Sequence, residues 1–196
     1  ALLNYDYSLE LKLPYSGYSE LDVKPRGPYP DDVIRDIGIV LDLNRETLDI
    51  IQSSIHLEQY RPEISDAIIS DEDVQLSSSV QTTSYLLSEQ SVYRAHSGQM
   101  DGAIDCIEAI LWLGSTFRQN PGIVSLFLAD AIEFIEVGAV SEFANRYELT
   151  DSHQERMIEM LQETNGNRKF HRAIIGDAIR SNHFLQTLLT SGDVQG

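Results

Sequence analysis

Lysine is nearly absent from this 196-residue chain: Lys12, Lys24 and Lys169 are the only three, against eleven arginines. Acids outnumber bases 31 to 14, and the formal charge is −17. Many carboxylates with few lysines resemble the surfaces of salt-adapted proteins, whose self-repulsion is screened at high ionic strength. The Ile, Asn and Ser content is higher than an extreme halophile would carry, so an acidic protein of an ordinary cell is the plainer alternative. Cysteine is just as scarce. Cys106 stands alone, which excludes a disulfide within the chain and any Cys-based zinc site. Its surroundings, GAIDCIEAILWLG, mark it as a small buried apolar side chain.

Long apolar runs are missing too. A membrane span needs about 18 or more uncharged apolar residues. The most apolar stretch, GIVSLFLADAIEFIEVGAV, is broken by Asp130, Glu133 and Glu136. No basic start, apolar h-region or small-residue cleavage site marks a signal peptide, so the expectation is a virion or cytoplasmic protein rather than one secreted by a cleavable signal. A length of 196 residues suits one domain, or one domain with an appendage.

Catalytic motifs are equally wanting. His153 and Glu155 form an H-x-E pair, but a zinc deaminase also needs a P-C-x-x-C partner. Asp71, Glu72 and Asp73 cluster without the glycine and distal glutamate of a calcium loop. Ser77, Ser78 and Ser79 have no neighbouring base, and no nucleophile elbow, Walker loop or dinucleotide fingerprint occurs. Glu133 and Glu136 lie on a mostly apolar helix. The plain reading makes them a narrow solvent-facing stripe; the alternative is a buried carboxylate pair with catalytic or metal-binding use. The expectation is a protein with no catalytic residues, no metal and no cofactor.

What is present falls into two textures. Residues 5–13 alternate strictly, with Tyr5, Tyr7, Leu9, Leu11 and Leu13 on one face. PYSG supplies a turn, and Ser19, Leu21 and Val23 alternate again. This reads as a β-hairpin of 4–13 and 19–24, followed by the extended PRGPYP. Two strands alone are marginal in water. The hairpin is therefore expected to be pinned, to its own body or to a neighbour. As a partner-binding arm it offers Tyr5, Tyr7, Leu9, Leu11, Tyr15, Tyr18 and Tyr29.

From Pro30 onward the spacing turns helical. Asp31 and Asp32 open a helix carrying Val33, Ile34, Ile37, Val40 and Leu41, and Asn44 is placed to cap the next, RETLDIIQSSIHLEQY, on which Leu48 and Ile51 face inward. The pair reads as an αα-hairpin. Residues 62–79 are weaker, a short helix or irregular, and a helix is expected from Thr83 to His96, stopped by Gly98. The core is expected in two segments. One carries Ile104, Ile107, Ile110, Leu111 and Gly114. The other, apolar nearly all round and therefore central, carries Ile123, Phe127, Ala131, Phe134, Ile135, Val137 and Phe143. Thr150 or Asp151 caps a further helix, and residues 168–189 form a last amphipathic one.

The predicted fold is thus mainly α: a multi-helix, bundle-like or orthogonal domain over 31–190, an N-terminal β-hairpin or extended arm over 1–30, and a short tail over 191–196. Charge is uneven along it. Residues 165–196 hold Arg168, Lys169, Arg172 and Arg180 against Asp177 and Asp193, a balance of +2, leaving −19 on the rest. A basic end on an acidic body suits contact between copies or with other subunits. The basic residues are too few for strong nucleic-acid binding, and the body repels phosphate. The expected partner is a protein, the chain itself or another subunit of an assembly. The function expected is non-enzymatic and structural. An acidic inhibitor occupying a basic site is the alternative.

Overall fold

A computed structural model describes residues 27–54, 71–118 and 123–163. Among them lie six helices and no strand: α1 (Asp31–Leu43), α2 (Arg45–Ser54), α3 (Asp71–His96), α4 (Met100–Arg118), α5 (Ile123–Arg146) and α6 (Asp151–Glu163). The predicted hairpin over 4–24, the last helix over 168–189 and the tail lie outside the described residues.

Helices α3, α4 and α5 pack on one another most extensively, with α1 laid on α3, α2 against α1, α3 and α4, and α6 on α4. Two apolar clusters fill the centre. One joins Tyr29, α1 and Leu48 to the middle of α3, the C-terminal half of α4 and the start of α5. The other joins the N-terminal half of α4 to the end of α5, Leu149 and Met157 and Met160 of α6. The predicted α4 face is the buried one: Ile104, Ile107 and Ile110 are fully enclosed and Leu111 nearly so. At Gly114 an added Cβ would stand 3.3 Å from Ile132 Cγ2, so glycine there lets α4 and α5 close together.

The helix ends follow from local chemistry. Asn44 stands at the junction of α1 and α2, where the sequence places a cap. Its amide donates back to the Val40 carbonyl at 2.9 Å, closing α1, while its own carbonyl accepts from the Leu48 N–H at 3.1 Å, opening α2. Gly98, at φ +76°, terminates α3 in a left-handed turn with Gln99 N–H on the Arg94 carbonyl and Gly98 N–H on that of Ala95. Thr150 Oγ1 accepts from His153 N–H at 3.3 Å and starts α6. Along α6, His153 lies 3.5 Å from Asp101, and Arg156 bridges Asp105 and Glu108 at 2.6 and 2.8 Å, so α6 runs parallel to the first half of α4.

α3 departs most from expectation. It is one 26-residue helix and takes in the acidic cluster at 71–73 and the serine run. Serine pattern conceals it. Ser84, Ser88 and Ser91 are fully or almost fully buried, and each hydroxyl donates to a carbonyl three or four residues back. Hydroxyls satisfied by their own helix can be buried without further partners, and their small size lets neighbouring helices approach.

Candidate functional site

The helix read as the buried centre is turned in an unexpected direction. On α5, Leu128, Ala129, Ile132, Ile135, Ala139, Val140, Phe143 and Ala144 form the buried arc. Glu136 falls in the middle of that arc and is 1% exposed. Phe127 and Phe134, expected in the core, point the other way and are 66% and 81% exposed. The cause is steric. The tight approach at Gly114 requires Ile132 and small neighbours such as Ala129 and Ala139 on the inner side, where two phenyl rings would hold the helices apart.

Placing that arc inward carries Glu136 with it. The plain expectation of a solvent-facing glutamate stripe is therefore overturned: Glu136 is buried and the Glu133 side chain is 13% exposed. Arg118, on the last turn of α4, reaches Glu133 at 3.4 Å. Burial pushes the Glu136 carboxyl up to about 8, with the Arg118 charge opposing and that of Glu133 adding to the rise. A carboxyl held this way is largely a neutral acid at pH 7. It could serve as a proton donor, yet it lies inside the helix packing. Among the described residues no cluster of three or more His, Cys, Asp or Glu is arranged to hold a metal ion.

A second polar group fastens the residues just before α1. Tyr29 is 4% exposed, with its hydroxyl donating to Glu142 at 3.0 Å. Arg146 lies 4.1 Å over the Tyr29 ring, pairs with Glu142 and donates to the Gly27 carbonyl at 3.2 Å. Burial, followed by the Glu142 charge, pushes the Tyr29 phenol well above its ordinary range. Of the seven residues assigned to the arm, Tyr29 is the one within the described region, and its ring is seated inside its own protomer. Tyr5, Tyr7, Leu9, Leu11, Tyr15 and Tyr18 lie outside the described residues, as do Arg168, Lys169, Arg172 and Arg180 of the basic end.

Cys106 is fully buried, as its neighbours implied. Its thiol contacts Gln90 Oε1 and the Gly102 carbonyl, beside a network in which Gln52 joins Gln90 and Arg94 across α2 and α3. Burial pushes the thiol up to about 12, which removes it as a nucleophile at neutral pH.

Among the described residues, two apolar surface features stand out. One is a groove of about 390 Å³ between the end of α2, the first half of α3 and the second half of α4, lined by Ile50, Ile51, Val80, Trp112, Leu113 and Phe117. The other is the outer face of α5. Phe127 and Phe134 are seven residues apart and so stand above one another, with Ala131 and Gly138 on the same stripe. Sequence reasoning counted both phenylalanines as core. The available signal was the second apolar stripe, offset from the one running through Ile132, Ile135 and Ala139; one helix side cannot bury both. Among the described residues no helix is long and apolar enough to cross a membrane.

No protein-family model matches the chain, and neither a curated protein nor a solved structure matches it.

Proposed function

We propose that this chain is a non-enzymatic assembly protein that works through protein–protein contacts. The observation that carries the reading is the outward pair Phe127 and Phe134 on a helix that buries the carboxyl group of Glu136 in their stead. Two adjacent, mostly exposed phenyl rings on a strongly acidic protein form the type of apolar patch that a partner covers. In its finer form the reading is a virion, connector or tail component, and the lysine-poor acidic composition supports a virus of a salt-adapted host. The leader over 1–24 adds a second contact by strand or arm addition, and the basic end docks on acidic surface.

The test is the solution mass of the full chain by light scattering, from low to molar salt. It is compared with Phe127→Ser/Phe134→Ser and with a deletion of 1–24, which leaves Tyr29 in place. The wild type is expected to exceed its single-chain mass of 22.1 kDa, and each variant to fall toward the mass of its own single chain. The mass of a single chain for each of the three under every condition sinks the reading.

A second reading, an acidic inhibitor of a basic site, is favoured by the exposed carboxylates of Asp31, Asp42 and Asp101, whose side chains are 101%, 72% and 83% exposed. Salt separates the two. Binding to a basic partner weakens as salt rises, whereas apolar contact between like-charged copies strengthens.

A further inference from the structure

We infer that the outer face of α5 is a contact between two copies of this chain, the helices lying antiparallel about a two-fold axis that passes between Ile132 and Glu133. This rests on the assembly reading and names the partner at its surface.

The stripe reads Phe127, Ala131, Phe134, Gly138: large, small, large, small at helical spacing. In a two-fold contact, if residue i meets j, then j meets i. Antiparallel pairing about the point between 132 and 133 sets Phe127 of one copy on Gly138 of the other, and Phe134 on Ala131. All four positions are then matched at once, each ring over a small residue. Gly138 is open: an added Cβ there would meet nothing within 4 Å, so a ring from outside can approach the backbone closely. Both rings are largely in water within the single chain.

Area and charge set the strength. Two rings exposed to 66% and 81% offer about 300 Å² per copy. That is roughly half of what a stable interface of about 1,200 Å² in total needs, so the dimer depends on concentration. A charge of −17 on each copy opposes association, and Asp130, exposed beside the stripe, adds to it. The dimer is therefore expected to tighten as salt rises.

The test exchanges ring and gap. In sedimentation equilibrium of the full chain at low and molar salt, the wild type moves from 22.1 kDa toward twice that mass, at lower concentration in high salt. Phe127→Ala leaves a hole, and Gly138→Phe sets ring against ring. Each shifts the midpoint at least about tenfold upward, as loss of a central aromatic does. Because 127 faces 138 of the mate, the double variant Phe127→Ala/Gly138→Phe returns to within a few-fold of wild type. Thermal melting of each protein as monomer confirms that the fold is retained. If the chain assembles and all three variants match wild type, the contact is elsewhere: this inference falls and the assembly reading stands. If the double variant is weaker than either single, the face is covered in another register or by another surface, and the inference falls. If every form stays at 22.1 kDa, both fall.

Discussion

Glu136 should make this protein lose stability as pH rises through neutrality, against the usual trend for carboxylates. The folded carboxyl is pushed from 4.5 to about 8, chiefly by burial. A raised value means that the native state holds its proton more tightly than the unfolded chain does. Below pH 4.5 both states are protonated and Glu136 contributes no penalty. Between 4.5 and 8 the unfolded chain releases the proton while the fold retains it, so stability falls by about 1.36 kcal/mol per pH unit. The whole interval amounts to roughly 5 kcal/mol, and about 3 kcal/mol of it is lost by pH 7. Against a typical total of 5–15 kcal/mol this is a large share.

The perturbation is Glu136→Gln, which keeps the shape and removes the titration. The assay is urea denaturation of both proteins, followed by circular dichroism at several pH values from 4.5 to 9. Every other group titrates in both, so the difference in unfolding free energy isolates Glu136. The glutamine variant should gain on wild type steadily from pH 4.5 and level off above about 8. A flat difference would mean that the carboxyl titrates as it does in water. A difference that moves in favour of wild type would mean that the fold holds a carboxylate, with the charge of Arg118 prevailing over burial. Either result refutes the reasoning.

Three further outcomes are expected. Phe143→Ala, at a ring 1% exposed and 5.5 Å from that of Tyr147, should lower stability by about 3–5 kcal/mol in denaturant titrations, while Phe134→Ser should stay within about 0.5 kcal/mol of wild type. Tyr29→Phe removes the hydroxyl bound to Glu142 and should cost about 1–2 kcal/mol in the same titration; no change would mean that the clasp with Arg146 holds without it. Cys106 should resist a thiol reagent at pH 8 in the native chain and react fully in urea, and fast labelling of the folded protein would contradict its burial.

Much of the helical part was legible because its signals are local. Asp31 and Asp32 mark the start of α1, Gly98 the stop of α3 and Thr150 the cap of α6, and each works through groups a few residues away. The inner face of α4 was legible for a similar reason: its acids Asp101, Asp105 and Glu108 fall on one narrow side, which leaves the remainder free to be buried. α3 was hidden because its buried residues include serines, and a serine that bonds its own helix carries no mark of burial in the sequence.

The sequence by itself determined that the segments forming α1, α2, α4, α5 and α6 are amphipathic or apolar helices, that the chain is strongly acidic, and that its one thiol is buried. It could not determine which way α5 turns. That helix has two apolar sides, and periodicity gives both the same weight. Only the tertiary contact decided. The close approach of α4 at Gly114 admits the side of Ile132, Ala129 and Ala139, so Glu136 is drawn inside and Phe127 and Phe134 are left facing the water.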